Sequence, residues 1–91
     1  PEQIRVIPVA NQNKEYASEL LQTLLKNNFR ASLDQRNEKL GAKLRAVDRA
    51  RVPVALIVGS QEELTQNVAV RRFGREDSQS TVSLPTLLEQ L

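Results

Sequence analysis

The feature that most constrains the fold is a nearly continuous apolar run at residues 52–59, Val-Pro-Val-Ala-Leu-Ile-Val-Gly. An apolar run without alternation is typical of a strand buried on both faces, as in the middle of a parallel sheet. Since proline cannot donate to a strand ladder, Pro53 is expected at the first position of this strand. The run therefore predicts an α/β domain built around a central strand.

Strand and helix patterns alternate on the amino-terminal side of this run. Residues 4–10 and 29–33 have the β-branched or alternating character of short strands. Between them, residues 14–26 carry apolar side chains at spacings of three and four, which predicts an amphipathic helix. Asn13 is expected to cap this helix and Asn27-Asn28 to end it, because Asn accepts a cap position and a left-handed backbone. Two β-α-β units are therefore expected.

A second helix is predicted at residues 37–50, with Asn37 as its candidate cap. Its apolar residues form one narrow stripe, which is expected to face inward while Lys39, Lys43, Arg45 and Arg49 face outward. Beyond the central run, the pattern predicts a helical turn or loop at 60–67 and then a strand at 68–72. A turn at 74–78, a short strand at 80–83 and a final helix at 84–91 are predicted to follow.

Length and composition indicate one small domain without catalytic machinery. The chain has 91 residues, of which 40% are hydrophobic and 26% charged, as in ordinary folded proteins. It contains no Cys and no His, so the usual general base and the usual zinc ligands are missing. We therefore expect no catalytic residue and no metal site. The lack of Cys suits a reducing compartment, and we expect a cytoplasmic protein.

The ends of the chain predict that it belongs to something longer. It begins Pro-Glu-Gln, which is neither a signal peptide nor an initiator Met, and the final helical pattern continues to the last residue. No apolar run approaches the roughly 20 residues that span a bilayer. We therefore expect residues 1–91 to be one domain of a longer chain, with its final helix truncated and no membrane partner.

Charge is distributed unevenly along the chain. Residues 30–75 hold ten of the 13 Lys and Arg but five of the 11 acids, a local balance of +5, whereas the remainder sums to −3. A concentration of positive charge of this kind favours a polyanionic partner. Only three Gly are present and they form no phosphate-binding loop, so a nucleotide-binding enzyme is not indicated.

Three side chains within the basic region have the chemistry to recognise base edges. Asn and Glu can exchange hydrogen bonds with base amino and imino groups, and Arg can bind a guanine edge with two hydrogen bonds. Arg71 and Arg72 are consecutive in a predicted strand, so only one of them can face a given surface. Glu62 with Glu63 could in principle form an acid/base pair, but neither a nucleophile nor a metal cluster accompanies them. The candidates for base recognition are Asn37, Glu62 and Arg71.

The chain resembles the anticodon-binding domain of class II aminoacyl-tRNA synthetases, in its threonine–tRNA ligase version. The segments that carry the resemblance are Asp-Gln-Arg-Asn-Glu-Lys-Leu-Gly-Ala-Lys-Leu-Arg at 34–45, Arg-Val-Pro at 51–53 leading into Val-Gly at 58–59, and Val-Ala-Val-Arg-Arg at 68–72. The similarity runs from about Ile4 to Leu91. Gln66 and Asn67 stand where relatives often have a glycine and a basic residue, so the loop that carries Glu62 is expected to differ.

The resemblance implies a fold, a partner and a set of contacts. The fold is a three-layer α/β/α domain with a five-stranded mixed sheet, one strand being antiparallel. The implied partner is the anticodon loop of threonine tRNA rather than DNA. The parent would be a homodimeric ligase that attaches threonine to its tRNA, with ATP and zinc held in a separate catalytic domain. Anticodon contacts are implied for Asn37, Arg45, Arg51, Glu62 and Arg71, and we expect RNA-backbone contacts from Lys39, Lys43 and Arg49.

Two other functions remain open from sequence alone. The chain could be an accessory or interaction subunit that has this fold but no longer recognises tRNA. The presence of base-edge chemistry at Asn37, Glu62 and Arg71 favours RNA recognition over that alternative. A small flavodoxin-like enzyme is disfavoured because the chain lacks His, Cys and a glycine-rich loop.

Overall fold

A mixed five-stranded sheet forms the middle of the molecule. The computed structural model describes the backbone of residues 1–91 and the side chains of residues 1–74 and 79–91. The strands are β1 (Ile4–Pro8), β2 (Ala31–Leu33), β3 (Val54–Val58), β4 (Asn67–Arg72) and β5 (Arg75–Ser83). The helices are α1 (Lys14–Lys26), α2 (Leu40–Ala50), α3 (Ser60–Thr65) and α4 (Leu84–Gln90).

The strand order confirms the predicted central strand and the mixed sheet. The strands lie in the order β2-β1-β3-β4-β5, so β3 occupies the middle position. β1 is parallel to both β2 and β3, whereas β4 is antiparallel to β3 and to β5. Pro53 lies immediately before β3 rather than at its first residue, so its missing N–H lies outside the strand.

Helices cover both faces of the sheet, which confirms the three-layer α/β/α arrangement. On one face, Leu20 and Leu24 of α1 and Leu87 of α4 are buried against side chains of the strands such as Leu56. On the opposite face, Val47 of α2 is buried in a second, smaller cluster with Ile7, Val52 and Ala55. The α2 face is the one that concerns function, because most candidate residues lie on α2 or beside it.

The first helix has the predicted bounds and the predicted end, but Asn13 does not cap it. Asn28 has a φ of 69°, the left-handed conformation expected after α1. Asn13 precedes α1 without capping it; its buried side chain instead accepts a hydrogen bond from the Ala10 amide at 3.2 Å and donates one to the Glu63 carboxylate at 3.1 Å. The cap prediction is therefore wrong, because Asn13 connects the end of β1 to α3.

The turn after β4 is shorter than the predicted turn at 74–78. β4 ends at Arg72 and β5 begins at Arg75, so the turn consists of Phe73 and Gly74. Gly74 has a φ of 78°, a conformation in which a side chain is strained. β5 is correspondingly longer than the predicted strand at 80–83.

Candidate nucleic-acid interface

One edge of the sheet gathers the segments that follow the parallel strands. Because β1, β2 and β3 are parallel, their carboxyl ends meet at the same edge, where ligands commonly bind in α/β domains. Asn37 and Lys39 lie between β2 and α2, and Glu62 lies in α3 directly after β3. The fold therefore brings three of the predicted contact residues to the loops of one edge.

The loop after β2 is ordered by an ion pair between Asp34 and Arg36. The buried Asp34 carboxylate accepts hydrogen bonds from the Arg36 backbone amide at 3.1 Å, from its Nε at 3.0 Å and from its Nη2 at 2.8 Å. The hydrogen bond from the Arg36 side chain holds the pKa of Asp34 below its ordinary value. Lys14 also donates to the Gln35 carbonyl at 3.2 Å. These contacts fix the loop immediately before Asn37.

Asn37 is exposed and does not cap α2. The helix begins at Leu40, and the residue before it, Lys39, has extended backbone with φ −71° and ψ 154°. The prediction that Asn37 caps this helix is wrong, because Glu38 and Lys39 separate it from the first helical residue and Lys39 holds the cap position. A helix-capping role therefore does not explain why an asparagine occupies this position. Its predicted role in base recognition stays a prediction.

Lys43 does not face outward, which corrects the predicted orientation of this residue. Its side chain is buried, and its Nζ donates a hydrogen bond to the Pro8 carbonyl oxygen at 3.0 Å. It lies beside Val47 in the helical repeat, at the margin of the stripe that faces the sheet. A buried ammonium is poorly placed to contact phosphate. The predicted contact between Lys43 and the RNA backbone remains untested.

The remaining cations of α2 have the predicted exposed position. Arg45 and Arg49 are exposed on the side of the helix away from Lys43. A Cβ added to Gly41 would lie 3.4 Å from Nη1 of Arg45, so the Arg45 side chain extends along the helix over that glycine. This flank of α2 therefore presents positive charge to solvent.

Arg51 ends α2 in a left-handed conformation. Its φ is 55° and its ψ is 40°, and its amide donates to the Asp48 carbonyl while the Val52 amide donates to that of Val47. Val52 then packs against Val47, so the turn is a Schellman motif with its usual apolar contact. This geometry turns the chain back toward β3 and leaves the Arg51 side chain exposed.

Glu62 has a structural role in α3 as well as a predicted functional one. Its Oε1 accepts a hydrogen bond from the Gly59 amide at 2.8 Å, which gives that amide a partner at the start of the helix. The side chain is partly exposed. The hydrogen bond with the Gly59 amide therefore fixes the position of the Glu62 side chain at the sheet edge.

Arg71 is buried on the α2 face and forms a bidentate ion pair with Asp48. Nη1 and Nη2 of Arg71 each lie 3.0 Å from a different Asp48 carboxylate oxygen. The hydrogen bond from Arg71 holds the pKa of Asp48 below its ordinary value. In register, Arg71 lies opposite Ala55 near the amino end of β3. Arg72 lies opposite Val54, which packs against the cluster on the α1 face, so Arg72 is on the opposite face from Arg71, as predicted.

The candidate residues form a band along α2 rather than one compact cluster. α2 has 11 residues, so it extends about 16 Å from the sheet edge back across the sheet. Asn37, Lys39 and Glu62 lie at the carboxyl edge, Arg45 lies on the exposed flank of the helix, and Arg51 and Arg71 lie toward the other end. An extended ligand is needed to reach all of them.

Sequence reasoning missed the carboxylates that support this band. In the sequence, Asp34 and Asp48 contribute only to the charge balance of residues 30–75, yet in the structure each pairs with an arginine of that region. The signal for the first was local, since Asp followed two residues later by Arg can form a turn. The second joins residues 23 positions apart and had no local signal.

The described side chains indicate neither a metal site nor a membrane segment. Among residues 1–74 and 79–91, no group of three His, Cys, Asp or Glu side chains is placed to hold a metal ion. The chain also lacks the Cys and His that zinc favours, so it does not fit the zinc implied for the parent. No helix in that part of the chain is both long and apolar enough to cross a bilayer.

Comparison with known proteins decides the family. The family model described as "Anticodon binding domain" matches residues 3–91, nearly the whole chain. The chain belongs to the anticodon-binding domain family. Similar curated proteins include the threonine–tRNA ligases of Sulfurihydrogenibium sp. (strain YO3AOP1) and Streptococcus pneumoniae (strain Hungary19A-6), each 38% identical over the full chain. The chain spans only 14% of the length of either relative.

Two solved structures of aminoacyl-tRNA synthetases contain the same fold. The RNA-binding domain of threonyl-tRNA synthetase from Cryptosporidium parvum Iowa II matches 99% of this chain with a TM-score of 0.95 and 22% identity, over 22% of its own chain. Histidyl-tRNA synthetase from Nostoc sp. PCC 7120 also matches 99% of this chain, with a TM-score of 0.92 and 20% identity, over 21% of its own chain. At these identities the likeness concerns the fold alone.

Proposed function

We propose that this chain binds the anticodon loop of threonine tRNA, as the anticodon-binding domain of a threonine–tRNA ligase. The observation that carries the proposal is the 38% identity to threonine–tRNA ligases over the full length of the chain. The arrangement around α2 supports it, because exposed cations and exposed base-edge chemistry occur together there. Phosphate contacts position an RNA, and contacts with base edges give specificity.

The roles within the band follow from exposure and chemistry. Lys39, Arg45, Arg49 and Arg51 are exposed cations suited to phosphate, or to a base edge in the case of arginine. Asn37 is an exposed amide without a cap role, and it is assigned to base recognition. Glu62 and Arg71 are also assigned to base recognition. Their side chains are held by hydrogen bonds with the Gly59 amide and with Asp48 respectively. We assign Lys43 to the interior of the domain.

The whole ligase reaction is assigned to a longer parent. ATP and zinc would be bound by a separate catalytic domain, which would attach threonine to the tRNA and form the homodimer. This chain would contribute tRNA binding alone. The compartment proposed for the parent is the cytoplasm.

An accessory subunit without tRNA recognition is the alternative. It is not favoured, because the curated relatives that match the full chain are named as ligases. The exposed Asn37 also argues against it, since nothing in the helix start requires an amide at that position.

The test is a titration of the chain with anticodon stem-loop RNAs. One RNA carries a threonine anticodon, which ends in G-U, and matched RNAs differ only at the middle or last anticodon base. We expect weak binding that prefers the threonine anticodon. Salt should weaken binding through the release of counterions from the phosphates. Equal affinity for all of these RNAs would support the accessory-subunit alternative.

A charge-matched pair of variants locates the interface. Lys39→Gln removes an exposed cation beside the proposed site, whereas Lys26→Gln removes one at the end of α1, on the other face of the sheet. We expect Lys39→Gln to weaken binding to every RNA and to lower the salt slope by about 1. Lys26→Gln should leave both unchanged. The opposite result would place the RNA on the α1 face.

A further inference from the structure

Arg71 differs from the other proposed base-recognition residues in being buried. Its side chain is 9% exposed, whereas that of its partner Asp48 is 35% exposed. Asp48 lies in the last turn of α2, three residues after Arg45, so it lies on the same flank as that exposed cation. The pair therefore joins the sheet to the solvent side of α2, at the margin of the proposed interface.

Asp48 fixes the plane and direction of the Arg71 guanidinium. Both carboxylate oxygens are engaged, each at 3.0 Å, and a bidentate pair of this kind constrains rotation about the last bonds of the arginine. The backbone of Arg71 is held by its pairing with Ala55 of β3, although the β4–β5 pairing shifts register between Val70 and Arg72. The backbone fixes where the side chain begins, and side-chain contacts fix the direction of its guanidinium.

Recognition of a guanine edge depends on that orientation. Two parallel hydrogen bonds from one guanidinium require its donating side to lie in the plane of the base. Because the Nη1–Nη2 side faces Asp48, a guanine would be bound from a side that carries Nε. A contact residue whose rotamer is fixed by a neighbouring group gives more discrimination than one that must be ordered on binding. We propose that Asp48 is a positioning residue, which holds Arg71 in the orientation that recognises a guanine in the anticodon. This inference rests on the proposed function.

Because Asp48 is negatively charged, its proposed positioning role can be distinguished from an effect on RNA affinity in general. A carboxylate beside an RNA repels phosphate and opposes the binding of any RNA. Removing the charge should therefore favour binding in general while it releases Arg71 from its orientation. Affinity for the matched RNA should then fall while affinity for a mismatched RNA does not, a pattern that loss of folded protein cannot produce.

The test compares three variants of the 91-residue chain. Asp48→Asn keeps the shape and removes the charge, and Asp48→Glu keeps a carboxylate that can still pair with Arg71. Glu19→Gln is the matched control, since it removes one exposed carboxylate from α1 on the other face of the sheet. Each variant is titrated with the threonine-anticodon stem-loop and with a stem-loop whose middle guanine is replaced by adenine. Thermal unfolding gives the folded fraction.

We expect Asp48→Asn to lower the preference for guanine about tenfold. Binding of the adenine RNA should be unchanged or tighter. Asp48→Glu should retain most of the preference, and Glu19→Gln should retain all of it. If Asp48→Asn proves poorly folded, Asp48→Ser is measured with the same expectation. In an Arg71→Lys background, Asp48→Asn should cause no further loss of preference.

Two outcomes would overturn the inference in distinguishable ways. If the wild-type chain prefers guanine and folded Asp48→Asn keeps that preference, Asp48 has no positioning role, although the proposed function stands. A proportional loss of affinity for both RNAs in that variant would likewise mean that the Arg71–Asp48 ion pair contributes only to folding. If the wild-type chain itself shows no preference, the proposed function fails and the inference fails with it.

Discussion

Nζ of Lys43 lies 3.0 Å from the carbonyl oxygen of Pro8, so a lysine of α2 binds the carboxyl end of a central strand from within the domain. The side chain is 3% exposed. Its positive charge adds to the larger effect of Arg36 in lowering the pKa of Asp34, whose carboxylate fixes the loop before Asn37. Lys43 therefore supports the proposed interface from below its surface.

Replacing Lys43 should affect folding more than RNA binding. Lys43→Met keeps the aliphatic stem and removes the ammonium, and we expect a loss of about 1 kcal/mol in the free energy of unfolding. Lys43→Ala also removes the buried stem, and we expect about 2 kcal/mol or more. Chemical denaturation measures both, and RNA titration is done where the variants are folded.

Lys39→Met is the matched control for Lys43→Met, because Lys39 is exposed at the start of α2. It should show the reverse pattern, with stability unchanged and affinity for all RNAs reduced. If Lys43→Met were as stable as wild type and lost as much RNA affinity as Lys39→Met, the contact between Lys43 and the RNA backbone that the sequence predicts would be supported.

Local pattern was sufficient for the layers of this fold but not for the partners of its charged side chains. The run at 52–59 and the stripe in α1 identify a central strand and a helix because burial determines both patterns. Lysine is usually exposed, so the sequence predicts that Lys43 faces outward; its position at the margin of the α2 stripe is compatible with either side, and in the structure it is buried. Its acceptor, Pro8, lies 35 residues away, so only the packed structure brings the two together.

The same difference between local pattern and tertiary packing applies to the residues of the candidate interface. The exposure of Asn37, Lys39 and Arg45 follows from a loop and from a helix flank, and both are local properties. The pairing of Arg71 with Asp48 joins residues 23 positions apart, so it depends on how α2 packs against the sheet and has no local signal. The sequence therefore identifies candidates for RNA contact, whereas the pairing of Asp48 with one of them, Arg71, emerges only from the fold.

Asn37→Ala should change which anticodon is preferred without changing stability. The amide does not cap α2, so the loss of about 1 kcal/mol that follows removal of a helix cap is not expected. Titration with threonine-anticodon RNA and its single-base variants should show a reduced preference. Lys39→Ala is the comparison, since a phosphate contact should weaken all RNAs alike. An equal loss for every RNA with Asn37→Ala would count against base recognition.

Arg51→Gly should separate stability from RNA binding. Arg51 has a φ of 55°, and glycine adopts this left-handed conformation without the steric cost that other residues have. We expect the free energy of unfolding to rise by up to about 1 kcal/mol, while RNA affinity falls because a cation is lost. Asn28→Gly, at the end of α1, is the control; it should give a smaller gain and normal RNA binding. A destabilised Arg51→Gly would show that the arginine side chain supports the turn.

Acid should destabilise the domain through Asp34 and Asp48. Both carboxylates have pKa values below the ordinary 3.8, chiefly because of hydrogen bonds from Arg36 and Arg71 respectively. The unfolded chain therefore binds protons more readily, and this stabilisation is complete above about pH 5 and is lost as pH falls through the folded values. Urea unfolding over a pH series measures the loss. The Asp34→Asn, Asp48→Asn double variant should show a shallower acid dependence, and an unchanged slope would contradict the assignment.

Arg71→Lys should be damaging although it keeps the positive charge. A lysine ammonium cannot form the two parallel bonds that a guanidinium makes, either with the Asp48 carboxylate or with a guanine edge. We expect a loss of about 1 to 3 kcal/mol in binding, confined to RNAs with guanine at the middle anticodon position. Stem-loops that differ only at that base measure the loss, and thermal unfolding corrects for the broken ion pair. Arg72→Lys is the matched control on the opposite face of β4. Wild-type discrimination by Arg71→Lys, or a larger anticodon-dependent loss in Arg72→Lys, would remove Arg71 from the recognition site.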